Sequence, residues 1–161
     1  MNLNLQNQLK KILNGRFSQS ESTRANYARG EDTYDPVLSQ AVVFPETNEE
    51  VSQILKLCNE NKVPVVPFGT GTSLEGHAVG NDKGITISLE KMNKVLVVNT
   101  EDFDCRVQAC VTREQLNEYL REDGVFFPID PGANAAIGGM ASTSASGTMA
   151  VKYGTMKSVI T

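Results

Sequence analysis

The sequence has little material for several kinds of functional site. Its 161 residues include no tryptophan, one histidine and three cysteines. A histidine-based zinc site or a cysteine–histidine nucleophile pair needs more such residues than His77 alone supplies, so we expect no metal ion. Cys58, Cys105 and Cys110 are odd in number and lack C-x-x-C spacing, which argues against a disulfide framework and suits a reducing compartment. We predict that all three are buried small apolar residues.

Neither a strongly basic surface nor a long apolar run is present. Lys and Arg number 15 against 19 Asp and Glu, a net charge of −4, which makes nucleic acid a poor candidate for a partner. No apolar run approaches the roughly 20 residues of a membrane span, and the N-terminus lacks a signal-peptide core. A cytoplasmic location follows by default. The remaining class is a globular protein with a hydrophobic content of 40% and enough residues for one buried core.

Hydrophobic periodicity predicts a mixed order of helices and strands, an α+β fold. The predicted segments are a helix over Leu3–Leu13, an irregular arm over 16–36, strands over 41–44, 63–68, 85–89, 95–99 and 103–111, and helices starting after Thr47 and Thr112. Both later helices begin with a capping box, T-x-x-E or T-x-x-Q. Their predicted buried residues are Val51, Ile54, Leu55 and Cys58 in one, and Leu116, Tyr119 and Leu120 in the other. The strand–helix–strand unit over 41–68 should have parallel strands, whereas the strands that follow look antiparallel.

The strand over 63–68 leads into a loop of small residues, Gly69-Thr70-Gly71-Thr72-Ser73, and we call residues 69–77 the first loop. Small residues let backbone N–H groups approach a ligand closely, and a row of such groups binds anions, commonly phosphate. No lysine follows these glycines as in a P-loop, and the third glycine of the Rossmann pattern is absent. The composition alone is equally consistent with a tight structural turn. Its position at the carboxyl end of a parallel strand favours a ligand loop.

A second stretch, residues 130–154, also has few large side chains, and we call it the second segment. Asp130-Pro131-Gly132 is followed by Ala135-Ala136-Ile137-Gly138-Gly139-Met140, and residues 141–148 are all Ala, Ser, Thr or Gly. Because such residues cannot fill a core, another group should pack against this backbone. A tightly packed helix start is one alternative. A flexible linker is another, although Pro131, Ile137, Met140 and Tyr153-Gly154 argue against it.

Together the two patterns, VPVVPFGTGTSLEGH and PGANAAIGGMASTSASGTMAVKYGT, resemble the FAD-linked oxidases of the vanillyl-alcohol oxidase/p-cresol methylhydroxylase superfamily. Within it they look most like the branch of cytochrome-type D-lactate dehydrogenase and the FAD subunit of glycolate oxidase. The similarity runs from about Arg16 to the last residue. It implies a p-cresol methylhydroxylase-type FAD-binding domain over 36–161, incomplete at its C-terminal end, after an N-terminal helix and arm over 1–35.

The resemblance also implies which residues bind FAD. In the family, the first loop wraps the pyrophosphate with backbone N–H groups, and the second covers the pyrophosphate, the ribityl chain and part of the flavin. The matching residues are Pro67, Gly69, Thr70, Gly71, Thr72, Ser73 and Leu74, then Pro131, Gly132, Ile137, Gly138, Gly139, Thr143, Ser144 and Gly147, with Tyr153 as a support. Members with covalent FAD carry a histidine where Thr72 stands, so non-covalent FAD is implied. His77 lies outside that position, and its role as a loop stabiliser or a flavin-pocket residue stays open.

Full-length relatives oxidise a 2-hydroxy acid, such as D-lactate or glycolate, by hydride transfer to FAD. The resemblance places their substrate-binding arginine and acid–base groups beyond Thr161, so we identify no catalytic base in this chain. Two hypotheses stand. The chain is the FAD-binding portion of such an enzyme, with a peripheral inner-membrane location left open for the full length. Alternatively, it is a non-catalytic FAD- or nucleotide-binding module that self-associates or needs another segment or chain to cover an apolar face.

Overall fold

The computed structural model describes residues 1–161 and contains two compact units, Met1–Lys91 and Met92–Thr161. None of its helices has the length and hydrophobicity needed to cross a membrane. The first unit contains α1 (Leu3–Leu13), β1 (Phe17–Ser18), α2 (Glu21–Asn26), β2 (Val42–Val43), α3 (Asn48–Glu60), β3 (Val65–Phe68) and β4 (Ile85–Ser88).

The four strands of the first unit form one sheet in the order β1-β2-β4-β3. β2 and β3 both run parallel to β4, so the predicted parallel orientation of the strands that flank α3 is confirmed, although β4 lies between them. The prediction that later strands are antiparallel is wrong for β4. Residues of β4 are buried throughout, as expected of a central parallel strand with both faces covered.

Helix α1 is part of the core of the first unit. Leu5, Leu9 and Leu13 are fully buried and pack with Ile54, Cys58 and apolar residues of β2 and β4. Burying each leucine contributes about 1.5–3 kcal/mol. The helix starts at an Asn2 side chain that accepts from the Leu5 N–H at 2.8 Å, and it ends at Asn14 in the left-handed conformation. The Leu3–Leu13 helix was predicted with these bounds.

Helix α3 keeps only half of its predicted capping box. The Thr47 hydroxyl accepts from the Glu50 N–H at 3.1 Å, but the Glu50 carboxylate accepts from the Glu46 N–H and from Arg16, at 2.7 Å in each case. Hydrogen bonds from Arg16 lower the pKa of Glu50 to about 2. Leu55, predicted to be buried, is 45% exposed because the buried side of α3 is defined by Ile54 and Cys58. Burial raises the pKa of the Cys58 thiol to about 11.

The second unit contains a two-stranded antiparallel sheet and short helices. Its elements are β5 (Val95–Asn99), β6 (Asp104–Val107), α4 (Arg113–Leu120) with a 3₁₀ turn over Arg121–Asp123, α5 (Ile137–Ser142), α6 (Ala150–Tyr153) and α7 (Met156–Val159). The predicted strand over 103–111 is therefore wrong at both ends, because Phe103 adopts a left-handed backbone and the pairing ends at Val107. Cys105 is exposed, so the prediction that it is buried is wrong, whereas Cys110 is buried.

Two small apolar clusters stabilise the second unit. Val111, Leu116 and Leu120 form one, and Ile129, Met140 and Met156 form the other. Tyr119, predicted to face the core, is 58% exposed. The Thr112 hydroxyl caps α4 by accepting from the Gln115 N–H at 3.2 Å, but the Gln115 side chain donates to the Asn93 carbonyl at 2.8 Å and does not complete the box. Gly124, in the left-handed conformation, ends this helical segment as predicted.

Candidate functional site

The first loop leaves β3 at its carboxyl end and turns at Gly71, where φ is +72°. A Cβ at Gly71 would lie 2.8 Å from the Phe68 ring, and a Cβ at Gly30 would overlap the Gly71 carbonyl oxygen. That oxygen accepts from the Glu31 N–H at 2.8 Å. The turn is therefore fixed by two glycines and by one main-chain hydrogen bond from the arm.

Four consecutive main-chain N–H groups of the first loop have no acceptor in the chain. Those of Gly71, Thr72, Ser73 and Leu74 donate no hydrogen bond within the chain. Side-chain hydroxyls lie beside them: Thr70 and Thr72 Oγ1 atoms are 3.3 Å apart. Within the first loop, no acidic residue occurs before Glu75. Consecutive free N–H groups flanked by small side chains form an anion-binding cradle.

The irregular arm supports the first loop. Asp32, only 6% exposed, accepts from the Gly30 N–H and the Tyr34 N–H, both at 3.0 Å, and so shapes the turn that meets Gly71. The Tyr34 ring lies against Gly76, where a Cβ would come within 2.7 Å of it. These contacts hold the first loop in place from the arm.

Asp130 organises the second segment. Its carboxylate accepts from the Thr148 hydroxyl and from the Met149 N–H, the latter at 2.9 Å. These hydrogen bonds lower the pKa of Asp130, and the bond from Thr148 has the largest effect. A Cβ at Gly147 would overlap the Asp130 carboxylate and carbonyl. One carboxylate therefore ties together the two ends of a stretch that has little side-chain packing of its own.

The middle of the second segment is anchored to the rest of its unit. The N–H groups of Ile137 and Gly138 donate to the carbonyls of Val111 and Ala109, each at 2.8 Å. The Ile137 side chain packs on both apolar clusters, and a Cβ at Gly138 would lie 2.8 Å from Ala109. These two residues thus hold the backbone in place, whatever else they contact.

Other glycines of the second segment face open space. A Cβ at Gly132 or at Gly139 would meet no atom within 4 Å. The Thr143 hydroxyl donates to the Gly139 carbonyl at 3.0 Å, and Ser144 is exposed with a positive φ. Gly132 and Gly139 are therefore not required by packing, and their lack of a side chain leaves room for another molecule.

The remaining predicted residues lie at the edges of these two regions. Pro67 is exposed on β3, and Leu74 is 70% exposed. Gly69 and Pro131 are half-buried. Tyr153 packs edge-to-face on Phe126, with ring centroids 5.6 Å apart. The structure thus gathers the predicted residues into two groups, one in each unit.

Gly30 and Arg113 are residues of the site region that were missed from the sequence. Gly30, Asp32 and Tyr34 shape the first loop from about 40 residues upstream. Arg113 lies near Asp130, and its positive charge contributes to the lowered pKa of that carboxyl. Its Nε is buried without a hydrogen-bond partner, and its Nη2 lies 3.5 Å from Glu114 Oε1. A glycine next to an acidic turn was the only available signal in the arm, and Arg113 gave none.

FAD fits what each region offers. Its diphosphate is an anion that needs several hydrogen-bond donors, and the first loop has a row of free N–H groups with hydroxyl groups beside them. The second segment has two glycines that face open space, and Arg113, near Asp130, has a buried Nε without a hydrogen-bond partner. Both regions leave backbone accessible where a side chain would obstruct a ligand.

Comparison with known proteins gives the family. A family model described as "FAD binding domain" matches residues 39–161. A relative from Danio rerio, named "Probable D-lactate dehydrogenase, mitochondrial", is 47% identical over 140 residues, which is 87% of this chain and 28% of the relative. The chain thus spans little more than a quarter of that relative's length.

Solved structures give the fold. Alkyldihydroxyacetonephosphate synthase matches 98% of the chain and 33% of its own length, with a TM-score of 0.89 at 24% identity. p-Cresol methylhydroxylase matches 80% of the chain and 26% of its own length, with a TM-score of 0.64 at 22% identity. The predicted α+β fold of the p-cresol methylhydroxylase type is confirmed, and so is FAD as the cofactor of the family. The chain belongs to the FAD binding domain family.

Proposed function

We propose that this chain is the FAD-binding portion of a flavin-dependent oxidoreductase that oxidises a 2-hydroxy acid, such as D-lactate or glycolate, and that it holds FAD non-covalently. The observation that carries the proposal is the row of unpartnered N–H groups from Gly71 to Leu74. The substrate class is supported by the name of the Danio rerio relative, a D-lactate dehydrogenase.

In this proposal the first loop binds the FAD diphosphate. The N–H groups of residues 71–74 and the hydroxyls of Thr70, Thr72 and Ser73 supply neutral donors. Pro67 and Gly69 lead the backbone from β3 into the loop. Thr72 stands where covalent members have a histidine, and a threonine hydroxyl forms no bond to the flavin ring, which supports non-covalent binding.

The second segment makes its own contacts with FAD in this proposal. Backbone approach at Pro131, Gly132 and Gly139 is supported by the open space there. Ile137 and Gly138 hold that backbone in position through their bonds to Val111 and Ala109. The remaining proposed contacts and supports are Thr143, Ser144, Gly147 and Tyr153.

When bound, FAD supplies a two-electron acceptor for the hydride of the substrate carbon. This chain's residues bind and orient the cofactor, and we assign no catalytic base among them. The alternative is a non-catalytic FAD- or nucleotide-binding module that self-associates or needs another segment or chain. The exposed apolar side chains of Leu96 and Val97 in β5, and of Phe103 just before β6, favour this alternative for the isolated chain.

The test is an absorption spectrum of the purified chain after incubation with FAD, followed by addition of D-lactate with a dye acceptor. We expect a flavin spectrum. Reduction of the dye would favour the enzyme, whereas bound flavin without dye reduction would favour the non-catalytic module. Acid precipitation should release the yellow colour into the supernatant, and colour retained in the pellet would contradict non-covalent binding. The cytoplasmic location also stays a prediction, since the Danio rerio relative is named as mitochondrial; cell fractionation would decide it.

A further inference from the structure

We propose that His77 is a positioning residue for FAD: its Nδ1–H holds the Ser73 hydroxyl oxygen, so that the Ser73 O–H proton is free to donate to the FAD diphosphate. This inference rests on the proposed binding of the diphosphate by the first loop. It chooses between the two roles that the sequence left open for the only histidine.

The geometry places His77 directly on Ser73. His77 Nδ1 lies 2.8 Å from Ser73 Oγ, and the Glu75 N–H approaches the same oxygen at 3.4 Å. Gly76, at φ +75° under the Tyr34 ring, makes the reversal that brings residue 77 back to residue 73. The Ser73 N–H itself has no acceptor in the chain, so this residue presents both a main-chain donor and a hydroxyl.

The number of hydrogens on these groups decides what Ser73 can do. A serine hydroxyl has one donor and two acceptor sites. If the hydroxyl donates to Nδ1, no side-chain donor remains for a ligand. If Nδ1–H donates to the hydroxyl oxygen, the hydroxyl proton is free, and a bond from it to a phosphate oxygen is charge-assisted. An anion at the loop therefore selects the second arrangement.

Ser73 is the one residue of the first loop whose hydroxyl is hydrogen-bonded to a histidine. The hydroxyls of Thr70 and Thr72 lie 3.3 Å apart and face each other. Neither Lys nor Arg occurs in residues 69–77, so the loop has no ammonium or guanidinium donor. A hydrogen bond from His77 to the Ser73 oxygen thus adds the Ser73 O–H to the main-chain and threonine donors of the loop.

The experiment measures the dissociation constant of FAD by fluorescence for the full 161-residue chain and four variants. His77→Leu keeps the bulk but loses the hydrogen bond, and we expect about tenfold weaker binding, equal to about 1.4 kcal/mol. His77→Asn places an amide N–H near the position of Nδ1 and should stay within about threefold of the parent. Ser73→Ala should weaken binding by about tenfold. The double variant His77→Leu/Ser73→Ala should bind no more weakly than Ser73→Ala alone, because the two residues act through one bond.

A spectroscopic readout separates positioning from general loss of structure. The ³¹P resonances of bound FAD should shift in the same direction in His77→Leu and in Ser73→Ala, and His77→Asn should restore them. Additive effects of the two single substitutions, or an unchanged affinity in His77→Leu, would overturn the proposal. The control is Asp82→Asn, because Asp82 is an exposed residue five positions after His77. It should change neither the FAD affinity nor the ³¹P resonances.

A different result is expected if the first loop is not the site of the FAD diphosphate. Gly71→Val, which places atoms against the Phe68 ring, should abolish FAD binding if the first loop is the diphosphate site. Unchanged binding in Gly71→Val would overturn the assignment of the loop, and the His77 proposal with it. Loss of binding in Gly71→Val together with unchanged binding in His77→Leu would overturn the His77 proposal alone.

Discussion

The two glycine-rich regions have similar compositions, but different groups hold their backbones in shape. The first loop is shaped by main-chain contacts: Gly30 and Glu31 meet Gly71, and the loop's own N–H groups stay free. The second segment is shaped by a side chain, the Asp130 carboxylate, and its Ile137 and Gly138 N–H groups are used to anchor it. The difference supports the proposal that the first loop binds the anion, whereas the second segment offers accessible backbone and space.

The largest effect should come from filling the contact that shapes the first loop. In Gly30→Ala, the added Cβ overlaps the Gly71 carbonyl oxygen, so the arm or the loop must move. We expect the free energy of unfolding to fall by about 3 kcal/mol, measured by urea denaturation, and FAD binding to weaken with it. Gly132→Ala, which adds a Cβ in open space, is the matched control from the second segment and should keep its stability. Equal stabilities of the two variants would show that main-chain contact with the arm does not shape the loop.

The next effect concerns the carboxylate that stabilises the unit of the first loop. Glu50 has a pKa of about 2 when folded, below its ordinary value of 4.5, because Arg16 donates to it. Its contribution is therefore fully present above about pH 5 and is lost as the pH falls toward 2. We expect Glu50→Gln to lower the free energy of unfolding by about 2 kcal/mol at pH 7 and to flatten its dependence on pH between 5 and 2.

The control for this prediction is Glu49→Gln, an exposed neighbour in the first turn of α3. It should change the stability by less than about 0.5 kcal/mol. A pH profile of Glu50→Gln that keeps the parent's slope between pH 5 and 2 would mean that the Arg16–Glu50 pair does not stabilise the folded state.

A smaller and more local effect is expected from Asp130. Without its carboxylate, the Thr148 hydroxyl and the Met149 N–H lose their acceptor, and the stretch before α6 loosens. Asp130→Ala should make tryptic cleavage after Lys152 severalfold faster, as followed by mass spectrometry, while global unfolding changes little. Asp130→Asn keeps one acceptor oxygen, so its cleavage rate should lie between those of the parent and of Asp130→Ala. Asp123→Ala is the control, and cleavage at the parental rate in Asp130→Ala would contradict the role of this carboxylate.

The smallest change in stability should come from Gly139→Ala. Its Cβ meets no atom within 4 Å, so the free energy of unfolding should change by less than about 0.5 kcal/mol. If FAD occupies that space, its affinity should nevertheless fall severalfold. Gly138→Ala, whose Cβ would press on Ala109, is the converse variant and should lose stability. Unchanged FAD affinity in Gly139→Ala would remove this glycine from the proposed site.

The parts of the fold that were predicted from the sequence are those that local patterns determine. The helix Leu3–Leu13 has a leucine stripe inside and an Asn-Gly end, and its bounds were correct. The order of the strands could not be predicted in this way, because the sequence of β4 does not indicate that it lies between β2 and β3. Tyr119 was misplaced because helical spacing alone does not show which side of a short helix the core covers.

The same distinction applies to the candidate site. Its small residues were visible as composition, whereas the groups that shape them were not. Gly30 and Asp130 act on glycines far along the chain, through contacts that only the folded backbone creates. Arg113 has an unpartnered buried nitrogen, which is a property of its surroundings and not of its sequence context. Which residues a ligand approaches therefore stays a prediction from the sequence, and the structure added which residues hold them in place.

One titration tests the central claim most directly. Adding the purified 161-residue chain to FAD, while following flavin fluorescence, should give saturable binding that is lost in Gly71→Val and kept in the Asp82→Asn control. Acid should then release all of the flavin. Fluorescence that is unaffected by the parent chain, or a Gly71→Val variant that binds as well as the parent, would contradict the account of the first loop as the anion cradle for FAD.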